Sequence, residues 1–211
     1  MNEEPITITV QANTNCKELL DYKFQCHKFN IITETWLCGP ALKDSNKNKF
    51  DGSYPAGFLK DWKNAFTSYI PKNVNKILHV CAGSVRKEEG KTLDIDPKYN
   101  PDYLCNAETF RYGSLETGET QIPDNTFEWE LADPPYNKEA SEKYYNKPLL
   151  KKSMMIKQMA RTTKVGGFIG ILDQIMPQGP PRNLKCVARI GVTSVPNLDM
   201  RIFTVFKKIA N

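Results

Sequence analysis

Four consecutive residues, Asp133-Pro134-Pro135-Tyr136, carry the most specific chemistry in this chain. Two prolines in a row fix two φ angles and remove two backbone donors. Asp133 and Pro134 each precede a proline and are biased to extended geometry. The result is a stiff corner displaying a carboxylate, prolyl carbonyls and a phenol ring. Such a corner suits the holding of a planar exocyclic amine. The lone pair of an aromatic amine is delocalised into its ring, so the amine is a poor nucleophile. Two acceptors along its N–H bonds orient it and localise that lone pair toward an electrophile. The Asp133 carboxylate supplies one acceptor and the Pro134 carbonyl the other. Tyr136 can stack on the face of a base, as in enzymes that act on extruded bases.

The corner needs a rigid mount, and the sequence provides one. Phe127-Glu128-Trp129-Glu130-Leu131-Ala132 reads as a strand running directly into Asp133, with a charge on every second residue. Upstream, Ile77, Leu78 and Val80 make a short buried strand. The small-residue turn Cys81-Ala82-Gly83-Ser84 follows, and Gly83 allows close approach of backbone to a ligand. His79 reads as a strand-end or core histidine rather than a catalytic base. The next strand, Lys91–Pro97, carries Asp94 and Asp96. An acid about ten residues past a glycine turn suits the two ribose hydroxyls of a nucleoside. Asn106-Ala107 follows a third short strand, Tyr103–Cys105.

Together these stretches resemble the amino-methyltransferases, which use S-adenosylmethionine (SAM) to methylate exocyclic amines of nucleic-acid bases. Their motif is Asp/Asn/Ser-Pro-Pro-Tyr/Phe/Trp after the fourth strand. The resemblance makes Asp133, Pro134, Pro135 and Tyr136 catalytic, with Asp133 also beside the cofactor. It gives the ribose to Asp94, with Asp96 as runner-up, and the adenine ring to Asn106 and Ala107. The turn Cys81-Ala82-Gly83 would also touch SAM. The family's Asp-Pro-Phe-x-Gly-x-Gly falls on His79–Val85, where only Gly83 is kept. Tyr54, Pro55 and Gly57, a turn before a helical pattern, are implied to line the methionine end. Beside Tyr136, the mixed aromatic and basic residues Tyr144, Tyr145, Lys143, Lys147, Lys151 and Lys152 suit stacking on a substrate base plus phosphate contact, or equally a solvated helix start.

Alternating strand and helix patterns from residue 58 to 172 argue a doubly wound α/β sheet. The resemblance implies a Rossmann-like class I SAM-dependent methyltransferase, with a mostly parallel seven-stranded sheet and a C-terminal antiparallel hairpin. Residues 1–52 form an N-terminal extension with short strands at Ile6–Val10 and Ile31–Trp36. Residues 53–211 form the methyltransferase domain. Leu59, Trp62, Phe66 and Ile70 recur at helical spacing before the first domain strand, and Met154–Met159 lie on a helix ending near Lys164. A fifth strand, Phe168–Leu172, precedes the terminal pair Cys186–Val192 and Arg201–Phe206. Residues 114–125 read as a polar surface excursion.

The chain has 211 residues, enough for one substantial core and short for two. It has no apolar run of membrane-spanning length and no secretory signal, so a cytoplasmic location is expected. A net charge of +5 is compatible with nucleic acid without pointing to it. The six cysteines read as reduced thiols. Cys16, Cys26, His27 and Cys38 cluster in sequence, but their spacing matches no standard zinc finger. No metal is expected in the reaction. The family's small stand-alone members, found in phages and mobile elements, make N6 of adenine in DNA the favoured target. An RNA guanine-N2 or adenine-N6 methyltransferase and a non-catalytic SAM-fold binding module are the alternatives. Asp rather than Asn in the first motif position argues against a protein-glutamine methyltransferase. Only 50 positions separate Gly83 from Asp133, leaving no room there for a large target-recognition domain. Recognition is therefore expected from residues 1–52, 137–152 or the Pro177–Lys185 loop.

Overall fold

A computed structural model describes residues 25–26, 31–38, 54–114, 118–142, 146, 148–193 and 200–211. The expected strands at Ile6–Val10, the lysine-rich segment 44–52, and Cys16, His27, Lys143, Tyr144, Tyr145 and Lys147 lie outside the described residues.

The strands in chain order are β1 (Gln25–Cys26), β2 (Ile31–Leu37), β3 (Ile77–Val80), β4 (Lys91–Asp94), β5 (Tyr103–Leu104), β6 (Arg111–Ser114), β7 (Gly118–Gln121), β8 (Phe127–Ala132), β9 (Thr163–Asp173), β10 (Leu184–Thr193) and β11 (Arg201–Lys208). Nine of them form one sheet in the order β1-β2-β10-β11-β9-β8-β3-β4-β5. The run β5-β4-β3-β8-β9 is parallel throughout. Its order reverses between β3 and β8, the switch point of a doubly wound, Rossmann-like sheet. The last strand, β11, inserts antiparallel between β9 and β10. The α/β class, the mostly parallel sheet and the C-terminal antiparallel pair are as expected. The strand number differs. Seven strands come from residue 77 onward, and β2 adds an eighth by pairing parallel to β10, with β1 beyond it.

The crossovers also differ from the expected alternation of strands and helices. Helix α1 (Phe58–Ala65) precedes β3, and α3 (Lys152–Thr162) precedes β9. A one-turn helix, α2 (Lys138–Ala140), follows the Asp133 corner. Between β3 and β4 the chain makes only the 3-10 turn Lys87–Glu89, and between β4 and β5 only Pro97–Tyr99. From β5 to β8 it uses the hairpin β6-β7 where a plain polar excursion was expected. Segments of eight to ten residues with Gly or Pro inside them are too short to return a full helix along a strand.

Two apolar clusters pack on the sheet. Phe58, Trp62 and Ala65 of α1 meet Trp129, Leu131 and Phe203 in one. Trp62 and Trp129 contact edge to face at 5.3 Å, and Trp129 stacks on Phe168 at 4.9 Å. Met155, Ile156, Met159 and Ala160 of α3 meet Leu78, Val80 and Ile169 in the other. Beside the end of α3 lies a buried acid. Glu130, read as one of two alternating charges on β8, is fully buried, and its Oε1 accepts from the hydroxyls of Thr162 at 2.6 Å and Thr163 at 2.9 Å. Its Oε2 has no hydrogen-bond partner among the described residues, and burial pushes the carboxyl up to about 8. No described helix is long and apolar enough to cross a membrane.

Candidate active site at the switch point

Strand register alone assembles the site. Val80 pairs with Ala132 across β3 and β8, and with Leu93 across β3 and β4. One residue further on, Cys81, Asp133 and Asp94 therefore stand side by side at three adjacent strand ends. Asp94 pairs with Leu104 of β5, and the Cys105 amide donates to the Asp94 carbonyl at 3.0 Å, which sets Asn106 beside them. These are the carboxyl ends of parallel strands at a reversal of strand order, where doubly wound sheets bind ligands.

The turn after β3 coils tightly. Cys81 has φ 56° and Gly83 has φ 51°. A left-handed non-glycine residue stores on the order of 1–3 kcal/mol of strain, a cost found mostly at functional sites. The coil aims the Gly83 amide at Asp94 Oδ2, 2.8 Å away, while Asp94 Oδ1 accepts from the Asp96 amide at 2.9 Å. Asp94 is buried, and that burial raises its carboxyl despite these backbone donors. Asp96 is committed elsewhere: its Oδ1 accepts from the Lys98 amide and its Oδ2 lies 2.9 Å from Lys98 Nζ. Burial, then the nearby Asp94 and Asp133, push the Cys81 thiol far up, so it stays protonated.

Asn106 is exposed, and its Oδ1 accepts from the Glu108 amide at 2.8 Å. A cleft runs from Cys81 and Asp94 past Asn106 and Ala107 to Pro135. Leu93, Ile95 and Leu150 give it apolar walls. An acidic acceptor, an amide edge and flat apolar walls match a ribose diol and an aromatic ring, so these residues fit a nucleoside-type cofactor. The cleft holds about 90 Å³. Ligand pockets span roughly 300–1,000 Å³, so a nucleoside has to part its walls. One wall is tied by the Ser141 hydroxyl, which donates to the Pro148 carbonyl at 3.1 Å.

Asp133 sits at the other side of Pro135. Its Oδ1 accepts from the Tyr136 hydroxyl at 2.8 Å, and its Oδ2 lies 3.5 Å from Arg201 Nη1. The Arg201 guanidinium also lies over the Tyr136 ring, 4.8 Å from its centroid. Burial raises the Asp133 carboxyl to about 6, although Arg201 and Tyr136 pull it down. Lys152, expected near phosphate, turns inward instead. Its Nζ is 2.5 Å from Asp173 Oδ2 and donates to the Tyr136 carbonyl at 3.1 Å. The Asp173 side chain is nearly sealed from solvent, so its charge needs that partner.

Tyr54 stands behind the turn rather than in the cleft. It stacks on Phe58 at 5.1 Å, and its hydroxyl meets His79 Nδ1 at 3.3 Å. Pro55 is buried, and Gly57 is exposed at φ 92° at the start of α1. His79 is fully buried with Nε2 3.3 Å from the Glu89 carbonyl, and burial drops its pKa to about 4. It is neutral at ordinary pH and belongs to the packing. Arg182 and Lys185 stand at the opposite end of the sheet, since Lys185 pairs with Lys207 at the far end of β11 from Arg201. Among the described residues no group of three His, Cys, Asp or Glu is placed to hold a metal ion. Cys38 is buried, its thiol 3.9 Å from Asp61.

Sequence reasoning passed over Arg201 and Asp173. Both lie at the ends of strands β11 and β9, where Asp173 pairs with Ile202. A charged residue at the mouth-side end of a buried strand was the available signal.

No family model matches the chain, and no curated protein matches it. Several solved structures share part of its course. TrmN from Thermus thermophilus aligns at TM-score 0.43 and 16% identity over 63% of this chain; the match spans 43% of that protein. The geranyl diphosphate C-methyltransferase from Streptomyces coelicolor A3(2) aligns at 0.42 and 8%, over 83% of this chain and 89% of that one. An rRNA methylase from Streptococcus thermophilus aligns at 0.35 and 9%, over 65% and 90%. None of these reaches a TM-score of 0.5, so the chemistry of this chain rests on its own residues.

Proposed function

We propose that this chain is a SAM-dependent N-methyltransferase acting on the exocyclic amine of a nucleic-acid base, with N6 of adenine in DNA as its target. The observation that carries the reading is the junction at Pro135. It borders the cleft of Cys81, Asp94, Asn106 and Ala107 on one side and follows Asp133-Pro134 on the other. A cofactor side and an amine-holding corner thus share a wall.

When bound, SAM supplies a methyl group made electrophilic by its sulfonium. Asp94 would hold the ribose, and Asn106 with Ala107 the adenine edge. Asp133 Oδ2 and the Pro134 carbonyl accept the two N–H bonds of the target amine and turn its lone pair toward the cleft. The Tyr136 hydroxyl fixes Asp133 Oδ1, leaving Oδ2 for the amine. Lys152 and Asp173 fix the Tyr136 carbonyl and with it the corner. An amine that takes the methyl, whose bond to sulfur breaks with its electron pair left on sulfur, would gain positive charge and have a proton to shed. Asp133, poised at about 6, stabilises that charge and can accept the proton at Oδ2. Alignment of donor and acceptor is worth up to roughly 7–11 kcal/mol in favourable cases.

Adenine is favoured because Asp in the first motif position goes most often with adenine in the enzymes this sequence resembles. The test is incubation with radiolabelled SAM and separate pools of DNA, RNA and protein, then mass spectrometry of the digested products. N6-methyladenine from DNA is expected. N4-methylcytosine would correct the base, N2-methylguanosine confined to RNA would overturn the DNA reading, and SAM binding without transfer would leave a binding module.

A further inference from the structure

We infer that Arg201 occupies the place of the target base: its guanidinium is a removable stand-in that a base must displace to reach Asp133. This deepens the proposed function and rests on it.

Three observations carry it. The guanidinium lies over the Tyr136 ring at 4.8 Å, the position a stacked base would take. Its Nη1 points at Asp133 Oδ2 from 3.5 Å, the oxygen left open by Tyr136. A guanidinium is also a plane edged with N–H donors, and so is the amine edge of adenine. One group therefore lies at two of the places the corner offers a base, over the Tyr136 face and opposite Asp133 Oδ2.

The third observation is that the contact is loose. Arg201 Nη1 is buried yet makes no hydrogen bond among the described residues. A permanent buried Arg–carboxylate pair is normally short and bidentate, because only such geometry offsets the desolvation of both ions. Here the pair balances the Asp133 charge without locking onto it, which suits a group that must leave. Asp133 faces other charged or titratable groups as well: Tyr136 on its own turn, Asp173 from β9, Lys152 from α3, and Tyr54 and Cys81 behind it. Lys152 is already held by Asp173 and the Tyr136 carbonyl, so Arg201 is the cation with freedom to withdraw.

A stand-in lowers the apparent affinity for the base in proportion to the fraction of molecules it blocks. Arg201→Ala and Arg201→Met are compared with the parent enzyme in steady-state transfer to the unmethylated nucleic acid it accepts, across pH 5–9. Arg201→Met keeps an apolar stem over Tyr136 and guards against a packing defect. KM for nucleic acid should fall at least threefold in both variants, raising kcat/KM. The acid limb of kcat/KM, which reports the free enzyme, should move to higher pH, because Asp133 has lost the cation that held it down. The acid limb of kcat, which reports the complex, should stay put, because Arg201 has already gone from the complex.

A shift of both limbs, or a fall in kcat at unchanged KM, would show that Arg201 stays on Asp133 through turnover and overturn the inference. A raised KM that steepens with salt would make Arg201 a phosphate contact and overturn it equally. Absence of transfer by the parent enzyme to any nucleic acid would remove the amine-methylation reading itself, a result separate from any behaviour of the variants.

Discussion

The Tyr136 hydroxyl donates to Oδ1 of Asp133 at 2.8 Å, so two residues of one rigid turn hold each other. The bond leaves Oδ2 as the working oxygen and keeps the carboxylate in one rotamer.

Asp133→Ala should abolish transfer while SAM affinity stays within tenfold, because the carboxylate faces the amine rather than the ribose. In the parent enzyme, activity should fall on acidification through about pH 6. An ordinary aspartate would keep working to near pH 4. The sign follows from burial, which raises the carboxyl, so the accepting form is lost earlier as protons are added. Calorimetry with SAM beside a pH–rate profile checks both statements, and a variant retaining most of its activity would contradict the assignment.

Asp94→Ala should weaken SAM binding roughly tenfold to a hundredfold, the worth of a charge-assisted hydrogen bond of about 1.5–3 kcal/mol. It should also loosen the Cys81–Gly83 coil, since the Gly83 amide loses its acceptor. Asp96→Ala should affect SAM little, because Asp96 is occupied by Lys98. Titration calorimetry on the two variants separates them; the opposite ranking would move the ribose to Asp96.

Lys152→Met should lower kcat at least tenfold and leave Asp173 buried without its partner. Lys152 keeps about a quarter of its side-chain surface exposed, so the stability loss should be modest, on the order of 1–2 kcal/mol. Restoring activity by Lys152→Met with Asp173→Leu would show that charge balance, rather than the Tyr136 carbonyl contact, is what matters.

Glu130 sets a stability trend with pH. Its native carboxyl titrates at about 8, against 4.5 when exposed. Between those values the folded chain binds more protons at this site than the unfolded one, so the site costs stability as pH rises. Glu130→Gln should therefore be near neutral only below about pH 4.5 and should raise the melting temperature at pH 8–9. Thermal denaturation monitored across that range measures it; a lower melting temperature for the variant at pH 9 would mean that the carboxylate is stabilised where it lies.

The main-sheet strands from β2 onward were legible as apolar runs, and the Asp133 corner because two prolines leave little freedom; the two-residue β1 and the polar hairpin β6-β7 were not. Cys81, Asp94 and Asn106 converge because parallel register carries sequence order directly into spatial order. Arg201 was not legible. It meets Asp133 only because β11 inserts beside β9, and antiparallel insertion from 68 residues away leaves no local signature. The burial of Glu130 was not legible either, since charges alternating along a strand normally mark a wet face; here two threonine hydroxyls and a sheet covered on both sides take the place of water. Crossover helices were expected from the fold class rather than from residues 84–102, whose Gly90 and Pro97 favour turns.

The insertion of β11 between β9 and β10 also governs how the protein is made. Until residues 201–208 dock, β9 and β10 present open edges, and β2, paired with β1 on one side, has to wait for β10, over 150 positions downstream, on the other. Early-synthesised strands must therefore wait, and such high contact order slows folding. Unpaired edges invite association with other chains in the meantime. The same docking step that closes the sheet delivers Arg201 to Asp133, so nascent and truncated forms lacking β11 would carry an unbalanced acid at a half-built mouth. Synthesis thus couples completion of the sheet to charge neutralisation of the corner, and solubility and site integrity should be gained or lost together.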